Sequence, residues 1–144
     1  MAPRFRHAGR VGVDGALIQV RIGHGESVRG ALAGTGLGDP TVSVAALIDT
    51  GATGTFLDGK VIDAIGLRAA HAPFEVQVAV GAPQLWDGYE FRLIFGASHE
   101  VNVFGARLDD FVFPGTRCIL GRDVLSRGHL AYSGRTNSYL LELD

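Results

Sequence analysis

Apolar and polar residues alternate along much of this chain with a period of two. Over Ala16–Ile22 the residues Ile18, Val20 and Ile22 share one face, which predicts a strand ended by Gly23-His24-Gly25. Thr41–Ile48 is almost continuously apolar or β-branched, the pattern of a strand buried on both sides. Phe74, Val76, Val78 and Val80 alternate with Glu75, Gln77 and Ala79, and Tyr89, Phe91, Leu93 and Phe95 alternate with Glu90, Arg92 and Ile94. The turn-rich stretch Gly81–Gly88 between them predicts one long hairpin near residues 76–94, with the only tryptophan, Trp86, at its tip. There the ring either anchors packing or covers a cleft. Further strands are predicted from Val101 to Leu108, around Cys118–Leu120, and as a last hairpin joining Leu130–Tyr132 to Tyr139–Leu143.

Two short segments break the rule of two. Asp58–Leu67 carries a candidate N-cap in Asp58, an apolar face of Val61, Ile62 and Ile65, and a stop at Gly66. Arg122–Gly128 is long enough for about two helical turns. Gly30–Pro40, punctuated by Gly34, Gly36, Gly38 and Pro40, reads as a loop or wide hairpin. Residues 1–13 are basic without an apolar core and read as a flexible arm, leaving 14–144 as the folded domain. No βαβ alternation appears. The pattern predicts a mainly β domain with two short helices, closed or nearly so.

Composition narrows the function classes. The 144 residues carry 47% hydrophobic and 19% charged side chains, a globular balance. The net charge of -2 without a basic block gives no reason to expect nucleic acid as a partner. No run approaches the roughly 20 apolar residues of a membrane helix, and the amino terminus lacks the core of a secretory signal, which favours an intracellular protein. The single cysteine, Cys118, rules out an internal disulfide and reads as a buried apolar group. His7, His24, His71, His99 and His129 are scattered without ligand spacing, so no metal or cofactor is expected. Gly34-Thr35-Gly36-Leu37-Gly38 matches neither phosphate-loop spacing.

One carboxylate stands out. Asp49 lies where the apolar strand Ala46-Leu47-Ile48 breaks into Thr50-Gly51-Ala52. An aspartate alone, with an ordinary pKa of about 3.9, is a poor general base. Two held side by side share a proton, so one activates water while the other polarises a carbonyl. With one such turn per chain, the second must come from a second copy across a twofold axis. The bland alternative is an ordinary turn at a strand end.

The run Leu47-Ile48-Asp49-Thr50-Gly51-Ala52, the hairpin near 76–94 and Ile119-Leu120-Gly121-Arg122-Asp123-Val124-Leu125 together resemble the retropepsin family of aspartic proteases, over roughly residues 14–143. Specificity lies in the pairing of the turn with the Ile-Leu-Gly-Arg-Asp segment about seventy residues later. The resemblance implies a closed acid-protease barrel, one lobe per chain, and a homodimeric endopeptidase cutting an extended polypeptide. It implies that Asp49 is catalytic, that Thr50 bonds across the dimer axis, and that Gly51 and Ala52 complete the turn. Ile119, Leu120 and Gly121 would brace the turn, with Ile119 on the cleft wall, and Arg122 and Asp123 would be structural. Val80, Gly81, Ala82, Pro83, Gln84, Leu85 and Trp86 would form a flap. Val80, Leu85, Ile119 and the Phe113-Pro114 loop would line subsites.

The chain departs from the family pattern in three places. Thr53 stands where the viral enzymes carry an acid that pairs with the arginine, so Asp123 or another carboxylate would have to substitute. The flap lacks a glycine-rich tip and carries Pro83, and the insertion from Gly23 to Pro40 is long. A catalytically silent dimerising or peptide-binding module on the same fold is the alternative reading.

Overall fold

The computed structural model of the chain describes residues 3–69, 74–76, 81, 82, 84–111 and 114–144. In chain order the elements are β1 (Phe5–Gly12), β2 (Gly15–His24), α1 (Glu26–Ala33), β3 (Thr41–Ile48), β4 (Phe56–Asp58), α2 (Gly59–Ile65), β5 (Phe74–Val76), β6 (Gln84–Trp86), β7 (Gly88–Phe95), β8 (His99–Leu108), β9 (Thr116–Leu120), α3 (Arg122–Leu125), β10 (Gly128–Ser133) and β11 (Ser138–Leu143).

Six strands close into a barrel in the order β2-β3-β9-β4-β8-β7, with β7 returning to β2. Closure depends on β2 bonding to two partners. Leu17–Gly23 pair with β3, and Arg21–His24 also pair with β7, which removes both sheet edges there. Two neighbouring pairs are parallel, β3 with β9 and β4 with β8, and β9 lies between β3 and β4. The core is the inward set of the predicted strands joined by Leu57 of the unpredicted β4: Ile18, Val20, Ile22, Ala46, Leu57, Phe91, Leu93, Phe95 and Leu120 are all under 5% exposed. Each such side chain contributes about 1.5–3 kcal/mol relative to exposure, and the alternation fixes the register because a one-residue slip would turn the set outward. Among the described residues no helix is long and apolar enough to cross a membrane.

The helix predicted after Asp58 forms as α2. The Asp58 carboxylate accepts from the Lys60 N–H at 3.0 Å, and Gly66 ends the helix in the left-handed region at φ 75°. Asp58 is itself buried and also takes the Arg117 guanidinium at 2.9 Å. The second predicted helix is shorter than expected. It stops after the four residues of α3, with Ser126 as its C-cap.

Four expectations need correction. The arm assigned to residues 1–13 is largely strand. Phe5–Arg10 pair with β11, and Val11 and Gly12 pair with β2. Its period of two was hidden because His7 and Gly9 take inward positions between Phe5 and Val11. Gly9 faces the Tyr139 ring, which a Cβ there would approach to 2.6 Å. With β11 and β10, β1 extends the sheet beyond the barrel.

The stretch Glu26–Ala33, before and into the predicted loop, is helical, giving three helices among the described residues. Helix α1 buries no residue, so it leaves no apolar stripe to find in the sequence. It is held by polar contacts instead: the Glu26 N–H donates to Asn102 at 3.0 Å, the Ser27 hydroxyl donates to Glu90, and Arg29 pairs with Glu100 at 2.5 Å. Beneath it the fully buried Arg92 donates to the His24 carbonyl at 2.7 Å, to Glu100 at 2.8 Å and to both oxygens of Asp39 at 2.5 Å.

The long hairpin is two structures. Tyr89–Phe95 pair with β8 through the tight turn at Gly96 (φ 60°), while Phe74–Val76 pair with Gln84–Trp86 in a separate two-stranded ribbon. Both faces of the second half of β7 are buried, one against the barrel core and the other, with Arg92, under α1, and that environment suits a core strand rather than a lid. Finally, Trp86 is not at a tip. It pairs with Phe74 at the end of the ribbon away from the turn, and its ring meets Phe56 edge-on at 5.6 Å.

Candidate active site

The site grows out of the parallel pairing of β3 and β9. Leu47 lies beside Ile119 and Ile48 beside Leu120, so both strands end at one level. The Asp49 N–H then donates to the Leu120 carbonyl at 3.0 Å. From this anchored point the chain turns: the Ala52 N–H donates to the Asp49 carbonyl at 3.2 Å, and the Gly51 N–H donates to the Asp49 carboxylate at 2.9 Å. The carboxylate thus helps hold its own turn. Asp49 and Ala52 are half-buried, while Thr50, Gly51 and Thr53 are exposed.

Beyond β9 the chain crosses under the turn at Gly121. A Cβ there would stand 2.2 Å from the Gly54 carbonyl oxygen, so only glycine fits without displacing backbone. The Arg122 N–H donates to the Ala52 carbonyl at 2.9 Å, and its guanidinium donates to the Thr50 carbonyl at 2.7 Å. Arg122 therefore holds the turn at two carbonyls.

Asp123, weighed as a substitute partner for Arg122, bonds to Thr55 instead. Its carboxylate accepts from the Thr55 hydroxyl at 2.8 Å, from the Thr55 N–H at 3.2 Å and from the Val124 N–H at 2.9 Å. The Thr55 hydroxyl in turn accepts from the Gly121 N–H at 3.3 Å. Thr55 is 1% exposed and ties α3 to the far end of the Asp49 loop, a role the sequence reading missed. The signal was the hydroxyl in Thr53-Gly54-Thr55-Phe56, immediately before an apolar strand.

The structure brings Asp49, Thr50, Gly51, Ala52, Leu120, Gly121 and Arg122 together, with Ile119 half-buried beside Phe56 across the β4–β9 pair. For the remaining sequence candidates it is less complete. Gly81 and Ala82 are exposed, with Gly81 at φ 100°, and Gln84–Trp86 form β6. Val80, Pro83 and Phe113 lie outside the described residues. Among the described residues no group of three or more His, Cys, Asp or Glu side chains is placed to hold a metal. Cys118 is fully buried, and desolvation pushes its thiol far above the ordinary range, which makes it an inert core group.

Beside the turn lies a groove of about 280 Å³, bounded by Val11, Ala16, Ile48, Thr50, Leu130, Tyr132 and Tyr139. Its floor is the sheet of β1, β10 and β11. The Tyr139 hydroxyl is fixed by donating to the Leu17 carbonyl at 2.6 Å, whereas Tyr132 is 64% exposed.

Residues 40–127, from the start of β3 to just past α3, match the family described as "gag-polyprotein putative aspartyl protease". The fold is similar to a retropepsin-like aspartic protease from Rickettsia conorii, with a TM-score of 0.59 at 14% identity over 96% of this chain and 91% of that one. No curated protein matches the sequence.

Proposed function

The chain belongs to the gag-polyprotein aspartyl protease family, and we propose that it is a homodimeric aspartic endopeptidase whose site is assembled from two copies of the Asp49 turn. The observation that carries the reading is the state of that turn. Asp49 is held by the Leu120 carbonyl and the Gly51 N–H, and Arg122 holds the Thr50 and Ala52 carbonyls of the same turn, yet Thr50 and Gly51 stay exposed. Such a rigid, half-open carboxylate suits a surface that meets its own copy.

In this reading the two Asp49 carboxylates share one proton. The ionised one takes a proton from a water held between them. The water oxygen bonds to the peptide carbonyl carbon as the protonated carboxyl donates to the carbonyl oxygen. Collapse of the tetrahedral intermediate breaks the C–N bond as one carboxyl proton passes to the leaving nitrogen and a hydroxyl proton of the intermediate returns to the other carboxylate, giving an acid and an amine and restoring the shared proton. No cofactor enters this scheme.

Thr50 would bond across the axis, and the apolar groove next to it, with exposed Tyr132, would receive the second copy. An extended substrate would run past Ile119, and the ribbon of β5 and β6 would close over it as a flap, with Leu85, Val80 and the Phe113-Pro114 loop completing the subsites.

The test is cleavage of a mixed peptide library by the wild type and by Asp49→Asn, with sedimentation of both. Specific cleavage by the wild type, lost in a variant that still dimerises, is the expected result. Full activity in the variant, or a strictly monomeric active wild type, would overturn the reading. A wild type that dimerises and binds extended peptide without cutting it would instead establish the binding-module alternative.

A further inference from the structure

Away from the Asp49 turn, His99 occupies a position that ordinary packing does not call for. It opens β8 directly after the Gly96–Ser98 turn, with its ring against Phe5 and Phe95 at centroid distances of 6.2 and 6.3 Å. Phe5 and Phe95 themselves meet at 5.3 Å. The ring is half-buried, but its Nε2 atom is sealed from solvent and has no hydrogen-bond partner among the described residues. Phe5 is the first residue of β1, and it also covers Gly96, where a Cβ would come within 3.2 Å of its ring. One end of the N-terminal strand is thus seated on the barrel largely through an imidazole-containing aromatic cluster.

The charges that act on His99 are positive, while Asp144, a carboxylate, follows Leu143, the partner of Phe5, and its N–H donates to the Arg127 carbonyl at 3.1 Å. Arg4, just before β1, and Arg127, between α3 and β10, both act on His99. From β1, His7 stacks on Phe5 at 6.4 Å and leans on Tyr139 at 5.9 Å. Two other nearby carboxylates are engaged elsewhere: Glu100 pairs with Arg92 and Arg29, and Glu142 on β11 pairs with Arg6. Among the described residues no acceptor therefore meets a proton on the His99 Nε2.

We propose that His99 makes the docking of β1 on the barrel depend on pH, with the neutral ring seating Phe5 and the protonated ring releasing that end of the strand. One stacked and one tilted phenyl ring at 6.2 and 6.3 Å offer an imidazolium little attraction. A half-buried imidazolium whose Nε2 proton meets no acceptor is disfavoured, and two guanidinium groups add repulsion. Consistently, burial first, then Arg4 and Arg127, hold the His99 pKa below its ordinary value of about 6.5. The sign follows. Above about pH 6.5 the ring is neutral whether β1 is docked or not, and docking is at full strength. As the pH falls below that value the undocked state binds the proton first, so docking weakens, levelling off once the docked ring also titrates. Val11 of the same strand borders the groove beside Thr50, so loosening begins one strand length from the Asp49 turn.

The proposal stands apart from the peptidase reading, and its test needs no activity. Amide hydrogen exchange of the whole chain is measured at pH 7.5 and pH 5.0, corrected for intrinsic rates, in the wild type and in His99→Phe. In the wild type the amides of residues 5–9 are expected to open at least tenfold more at the lower pH while those of β3 stay unchanged, and His99→Phe should abolish the difference. Equal opening in both proteins, or none in the wild type, would overturn the proposal. Should the variant fail to fold, titration of the His99 ring by NMR decides. A midpoint below that of an unfolded histidine peptide supports the switch, and one at or above it refutes it.

Discussion

The guanidinium of Arg122 donates to the Thr50 carbonyl at 2.7 Å, joining positions 72 residues apart in the chain. In the same residue the backbone N–H donates to the Ala52 carbonyl at 2.9 Å. One residue thus fixes the turn on both sides of Gly51, by a side chain that can be changed and by a backbone bond that cannot.

Arg122→Lys separates these contributions. Lysine keeps the charge but lacks the planar fork. Loss of one charge-assisted bond at an exposed site should lower stability by about 1 kcal/mol, visible in urea denaturation. Under the peptidase reading, kcat should fall by about 100-fold, because small misplacements of reacting groups are costly. Unchanged turnover would show that the backbone bond alone holds the turn.

Gly121→Ala should be far more damaging. The new methyl would overlap the Gly54 backbone at 2.2 Å, and both partners belong to the crossing under the site. A loss of about 3 kcal/mol is expected. Gly30→Ala is the counterpart. Nothing lies within 4 Å of that exposed helical position, so the change should stabilise α1 by roughly 0.5–1 kcal/mol. Thermal unfolding of the two variants in opposite directions is the outcome to look for.

Arg92→Met tests the polar seat of α1. Its guanidinium is fully buried, while Asp39 and Glu100 retain 40% and 31% side-chain exposure. Removing the cation strands two partly hydrated carboxylates, so the cost should sit at the lower end of the range for broken buried pairs, about 3 kcal/mol. Denaturant midpoints report it, and exchange of the α1 amides should rise more than that of β3.

Cys118 should resist alkylation at pH 8 in the native state, because its thiol is buried and held protonated. Labelling is expected to follow global unfolding in urea. Rapid modification of the folded protein would show that β9 opens locally.

The legible parts of this protein share one property. Ile18, Val20 and Ile22, or Phe91, Leu93 and Phe95, announce their strands because burial repeats every second residue. Asp58 and Gly66 announce the ends of α2 because capping is local. The family match agrees with what the Asp49 turn and the Ile119–Leu125 segment suggested together. Where the signal failed, the inward positions were not apolar. In β1 they include His7 and Gly9, and α1 rests on the barrel through Ser27, Arg29 and the layer around Arg92.

By itself, then, the sequence determined a mainly β chain with one aspartate turn and one segment suited to brace it, since periodicity and turn chemistry act over a few residues. Only the tertiary structure decided that β2 bonds to both β3 and β7 to close the barrel. It also decided that Arg122 holds a carbonyl rather than an acid, that Asp123 belongs to Thr55, and that Trp86 packs on Phe56 at the open end of its ribbon. Those choices rest on side chains and strands that meet from distant parts of the chain, where steric fit and unsatisfied hydrogen-bonding groups select the partner and no local pattern records it.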